Sequence, residues 1–181
     1  DRQHLPLAML DTELARRTIT LLAPSKTWNI PGLGCAFAVI SDTALRRHFS
    51  GAMRGIVPHA NILGLAATEA AYRDCDDWRR DLLHILRRNR ARVEAAVAAM
   101  PGLAMSHVEA TYLAWIDARS LGVGDPAAFF EAAGVGLSSG ADFGLSGWVR
   151  LNFGCPLATL EAALQRMSQA CGQAARGTPS A

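Results

Sequence analysis

A chain of 181 residues, half of them hydrophobic, is long enough for one domain or two small ones and apolar enough to bury a core. A net charge of only +2, with acids and bases interspersed, leaves no electrostatic footprint for nucleic acid or a membrane surface. No apolar run approaches the roughly 18–20 uncharged residues of a membrane span, and the amino end, DRQHLPLAML, lacks a signal peptide's charged and apolar regions.

In chain order, TITLLA (18–23) and CAFAVIS (35–41) are short apolar, partly β-branched runs bounded by Pro, Gly and Asn, which predicts two buried strands. Asp42 is placed to cap a helix over DTALRRHF, and ANILGLAATEAAY (60–72) predicts a second, with Ile62, Leu65, Ala66 and Ala70 as its apolar positions. The strongest helical period follows over 76–100, through Trp78, Leu82, Ile85, Leu86, Val93, Val97 and Met100, until Pro101-Gly102 stops it. Within it RRNRAR (87–92), near Asp76, Asp77, Asp81 and Glu94, reads as a solvated helix face.

Beyond that stop come a strand in ATYLAWID (110–117), a helix at DPAAFFEAAG, the glycine-punctuated GVGLSSGADFG, and a strand in GWVRLNFG (147–154). A final helix carries one stripe of Leu157, Leu160, Leu164, Met167 and Cys171, and GQAARGTPSA reads as a frayed tail. The expected architecture is therefore α/β, two pieces joined by the long helix. Cys35, Cys75, Cys155 and Cys171 lie far apart without CxxC spacing, which fits free thiols in a reducing cytoplasm.

Lys26 is the only lysine among eighteen lysine and arginine residues. A lone lysine is ordinarily a solvated surface residue, and a genome biased toward arginine codons would also leave few lysines. Its setting argues for more: it follows the first strand, has the hydroxyls of Ser25 and Thr27 on either side, and precedes the turn NIPGLG. The carboxyl end of a strand in an α/β sheet is where ligands usually bind. Only lysine offers a primary amine that can become a nucleophile and form an imine; arginine cannot.

Arg150 is the second candidate. Alternation in GWVRLNF puts Trp148, Arg150 and Asn152 on one face and Val149, Leu151 and Phe153 on the other. An arginine in an apolar strand needs a partner, which is either one of the chain's sixteen acids or the carboxylate of a ligand. GLGCAF has GxG without a third glycine and precedes a strand, so a dinucleotide site is rejected. His48, His59, His84 and His107 lack metal-ligand spacing, and Ser138 and Ser139 lack a His-Asp pattern for a serine hydrolase.

APSKTWNIPGL (23–33) and WVRLNFGCP (148–156), taken together, resemble the cofactor-lysine and carboxylate-arginine motifs of fold-type I, class I/II pyridoxal-phosphate aminotransferases. HANILGLAATEAAY, DDWRRDLLHILRRNR and ATYLAWIDAR resemble the segments between those motifs in the cystathionine β-lyase, or cysteine-S-conjugate β-lyase, branch of the MalY/PatB type. The resemblance implies that Lys26 forms the imine with pyridoxal 5′-phosphate and removes the substrate's Cα proton. It implies that Arg150 binds the substrate α-carboxylate and that Ser25 helps hold the cofactor phosphate. Ala23 and Gly34 stand where many relatives outside the branch carry a phosphate-binding serine and arginine.

The implied activity is carbon–sulfur β-lysis of cystathionine or a cysteine S-conjugate to thiol, pyruvate and ammonia, with an aminotransferase of the same superfamily as the alternative. A non-catalytic interaction module is the alternative from another class. Family members run to roughly twice this length, which implies a carboxyl-terminal portion: 1–80 the end of the large cofactor domain, 81–100 the connecting helix, 101–181 the small domain. Such a portion alone is expected to bind the cofactor poorly. The resemblance also implies a homodimer acting on a small amino-acid substrate, with VPHANILG (57–64) near the dimer interface.

Overall fold

The computed structural model describes residues 3–177, which divide into two compact units between Leu82 and Leu83. In the first unit Asp11 caps α1 (Thr12–Arg16) by accepting from the N–H groups of Glu13 and Leu14. β1 (Thr20–Leu22) then pairs antiparallel with β2 (Phe37–Val39), Thr20 opposite Val39. Both predicted strands form, but they are not buried: Leu21 is 69% exposed and Val39 53%. The reason is that the pair is a two-stranded ribbon without a further strand on either side among the described residues. Between them lie α2 (Pro24–Thr27) and a 3₁₀ turn over Pro31–Leu33.

Asp42 caps α3 (Thr43–Met53) as expected, accepting from the Leu45 N–H. In α4 (Ile62–Asp74), capped by Asn61, the inward stripe is Gly64, Ala67, Thr68 and Ala71, whereas Ile62 and Leu65 point outward. This departs from the predicted apolar face, and close approach explains it. A Cβ at position 64 would lie 2.5 Å from the Leu33 carbonyl oxygen, so the helix packs through its smallest residues.

α5 (Asp76–Ala98) is the long helix. Its later part delivers Val93 and Val97, with Met100 just beyond, into the core of the second unit. Arg87, Arg88 and Arg92 are solvated as predicted, but RRNRAR is not wholly a solvent face: Asn89 is fully buried and Arg90 is mostly covered. Spacing explains this, because positions 89, 93 and 97 recur every four residues on the inward side. Asn89 Nδ2 donates to the carbonyls of Phe153 and Cys155, each at 2.9 Å.

The second unit is built on an antiparallel sheet of order β3-β4-β6-β5, comprising β3 (Ala104–Met105), β4 (Leu113–Asp117), β5 (Ser138–Ser139) and β6 (Trp148–Asn152). α6 (Pro126–Ala132), capped by Asp125, precedes β5, and α7 (Leu157–Gly177) follows β6. Ala114, Ile116, Val149 and Leu151 from the central strands share one buried cluster with Phe130 of α6, Val93 and Val97 of α5, and Leu160, Leu164, Met167 and Cys171 of α7. At roughly 25 cal/mol per Å² of buried apolar surface, this cluster is the main source of the unit's stability. The alternation predicted for β6 holds: Val149, Leu151 and the following Phe153 are buried, leaving Trp148 and Arg150 on the other face. α7 continues to Gly177, so 172–177 is helix rather than a frayed tail; residues 178–181 lie outside the described residues.

Candidate active site

Lys26 lies in the first unit and Arg150 in the second. Lys26 sits in the single turn of α2, which begins at Pro24, a residue whose fixed φ suits the first helical position and whose side chain is fully buried. That anchors the turn while Lys26 itself is exposed, directly after β1 as expected, although the sheet there is the two-stranded antiparallel ribbon. Its amine has no hydrogen-bond or ion-pair partner among the described residues. Ser25 is half-buried; its carbonyl accepts from the Ile30 N–H at 3.2 Å, while its hydroxyl has no partner among the described residues.

The chain after Lys26 is pinned at two places. Trp28 Nε1 donates to the Cys75 carbonyl at 3.2 Å, and its ring meets Tyr72 edge-on at 4.4 Å. Farther on, Asn61 Nδ2 donates to the Leu33 carbonyl at 2.7 Å, just before Gly34 takes a left-handed conformation that glycine adopts without strain. The Asn61, Tyr72 and Cys75 contacts come from α4 and its flanks, some 28 to 47 positions away. Sequence reasoning missed them because nothing in the local pattern signals a partner so distant.

On the open face of the second unit's sheet the register places Trp115 opposite Arg150 on one side and Ser138 opposite it on the other. Arg150 Nη2 donates to Ser138 Oγ at 3.2 Å, and the guanidinium carbon lies 4.5 Å from the centre of the Phe143 ring. Phe143 meets Trp115 edge-on at 5.7 Å, Trp115 stacks on Trp148 at 5.8 Å, and Arg119 lies 5.5 Å from the centre of the Trp148 ring. An aromatic row therefore ends in an arginine at each side.

The two arginines differ in one decisive respect. Arg119 donates Nε and Nη2 to the two oxygens of Asp117 at 2.9 and 2.7 Å, which holds the Asp117 carboxyl below its ordinary pKa through the side-chain hydrogen bond. Arg150 has no carboxylate within ion-pairing distance among the described residues, so an internal salt bridge is not what holds it. Its one side-chain hydrogen-bond partner is a neutral hydroxyl. The contact of Ser138 with Arg150 is visible only in the strand pairing.

The Lys26 amine and the Arg150 fork are thus each without a charged partner among the described residues. The family model for aminotransferase class I and II matches residues 5–167, and the chain belongs to that family. It is 33% identical to cystathionine beta-lyase PatB of Bacillus subtilis (strain 168) over 175 residues, 93% of this chain and 45% of that protein. The crystal structure of OvoB superposes with a TM-score of 0.92 at 48% identity, covering 94% of this chain and 45% of that one. A putative PLP-dependent beta-cystathionase of Corynebacterium diphtheriae does so at 0.88 and 37%, covering 95% and 47%. The chain thus spans about half the length of the relatives it matches, and over that span its α/β fold is the fold-type I architecture.

Proposed function

We propose that the whole protein is a pyridoxal-phosphate-dependent carbon–sulfur β-lyase that converts cystathionine or a cysteine S-conjugate, with water, to a thiol, pyruvate and ammonia. The likeness to a cystathionine beta-lyase and to a PLP-dependent beta-cystathionase supports this reading. The observation that carries it is the pair of unsatisfied cations, the Lys26 amine and the Arg150 fork.

The residues present fit the cofactor at its point of attachment. Lys26 would hold it through Nζ, since that amine is exposed and bound to nothing else, and the half-buried Ser25 hydroxyl is free to meet the phosphate. Ala23 and Gly34 bring no donor side chain, so no further phosphate contact is assigned to them. When bound, pyridoxal phosphate supplies an electron sink for the pair left at the substrate's Cα. Lys26 Nζ would accept the Cα proton of the substrate. Arg150 orients the substrate by gripping its α-carboxylate with two parallel N–H bonds.

Within this reading residues 1–80 are the end of the large cofactor domain, 81–100 the connecting helix and 101–181 the small domain. A homodimer is proposed as well, supported by the exposed apolar residues Val57, Ile62 and Leu63 in the VPHANILG stretch. A cytoplasmic setting is supported by the four free cysteines. Among the described residues no helix is long and apolar enough to cross a membrane.

The test is made on the whole protein supplied with cofactor and cystathionine. Pyruvate release is expected, with Lys26→Ala lowering it at least roughly 100-fold and abolishing the visible absorption of the lysine-bound cofactor. Amino-group transfer to a keto acid in place of pyruvate release would select the aminotransferase. An unchanged absorption band in Lys26→Ala would remove Lys26 from the site.

A further inference from the structure

We propose that Ser138 and Phe143 are positioning residues that hold the Arg150 guanidinium in the orientation that receives a substrate carboxylate, and so set how strongly this protein binds amino acids relative to amines. The proposal rests on the reading of Arg150 given above and adds to it what aims the fork.

Arginine is long and rotamer-rich, and an unpaired one in solvent samples many directions. Here three neighbours restrict it. Ser138 stands directly across the β5-β6 pair and accepts from Nη2. The guanidinium carbon lies over the Phe143 ring, 4.5 Å from its centre. Trp115, across the β4-β6 pair, supports Phe143 edge-on. The turn that carries Phe143 begins at Gly140, which packs so closely against the Leu145 and Trp148 carbonyl oxygens that it leaves no space for a Cβ.

Both contacts direct the group without discharging it. A hydroxyl acceptor and a π face leave the full positive charge in place, whereas Asp117 neutralises Arg119 on the same sheet face. Four of the five guanidinium N–H donors also remain for a ligand, enough for a bidentate carboxylate. A merely structural arginine would gain more from an acid at position 138 than from a serine.

The experiment uses the whole protein loaded with cofactor. It measures kcat and KM for the amino-acid substrate, inhibition constants for an unreactive amino-acid analogue and for the amine lacking its carboxylate, the cofactor's visible band, and the thermal midpoint. Ser138→Ala is expected to raise KM and the analogue's inhibition constant roughly 3- to 10-fold, the scale of one net hydrogen bond, with kcat, the amine's constant and the band unchanged. Ser138→Thr, which keeps the hydroxyl, restores both, and Phe143→Leu weakens the analogue roughly 2- to 5-fold. In an Arg150→Lys background, Ser138→Ala adds nothing further.

Equal weakening of amine and analogue, or full additivity with Arg150→Lys, would reduce both residues to general packing and overturn the proposal. A large effect of Arg150→Lys with none from Ser138→Ala overturns the positioning role alone. No effect of Arg150→Lys itself removes the carboxylate role of Arg150, and the positioning role with it. Should Phe143→Leu fail to fold, the Ser138 pair of variants decides the matter.

Discussion

Asn89 sits in a run of arginines yet is 0% exposed, with Nδ2 shared between the Phe153 and Cys155 carbonyls. These two carbonyls follow β6, so the side chain links α5 to the segment just after the strand that carries Arg150. Replacing it by leucine keeps the approximate volume and removes both donors. A loss of about 2–4 kcal/mol is expected, the desolvation cost of leaving buried carbonyls unpaired, measured as a lower urea midpoint by circular dichroism. A variant as stable as the parent would mean that water replaces the amide there. Lys26 and Arg150 were legible as unusual residues from type and spacing alone, whereas Asn89 was hidden by its charged neighbours, since burial belongs to the packed helix and not to the hexapeptide.

Caps and stops were read correctly at the level of elements: Asp42 and Pro101-Gly102 act where local chemistry puts them, because a cap acts within three residues of itself. The faces of short elements were read less well. α4 buries its small residues and exposes Ile62 and Leu65, a reversal set by the approach of Gly64 to the Leu33 carbonyl. Gly140 is similarly confined in the second unit, where the turn after β5 lies against the Leu145 and Trp148 carbonyl oxygens. Gly140→Ala is therefore expected to cost about 1–3 kcal/mol through overpacking, seen as a lowered thermal midpoint, even though any residue suits the extended or helical backbone of a neighbouring position. An unaltered midpoint would show that the turn can shift, and with it the rigidity assigned to Phe143.

For the molecule as a whole, the two units are unequal in how much core they own. Among the described residues the first unit buries little apolar side chain beyond Pro24, Ile40 and Ala71; the rest of the buried core lies in the second, around Ile116, Val149 and Met167. The first unit instead exposes Leu7, Met9, Leu21 and Ile56, apolar surface of the kind that a further part of a protein or a second subunit covers. In this chain by itself, hydrogen exchange should be slow at Ile116, Val149 and Leu151 and fast at the amides of β1, β2 and α4, because local opening is cheap where few apolar contacts are lost. Equal protection in both units would mean that the first has a core of its own.

What the sequence by itself determined was local: a single lysine in APSKTW, an arginine alternating in WVRLNF, the helix ends, and the α/β class to which these belong. Residue identity and short periods are local properties, so they can be read without coordinates. Only the tertiary structure decided what surrounds the two cations. That Ser138 and Phe143 hold Arg150, that Asp117 neutralises Arg119 but nothing described neutralises Arg150, and that Lys26 rides on a buried Pro24 all depend on strand register and packing between residues far apart in the chain. Register is a property of paired strands, and one strand alone does not carry it.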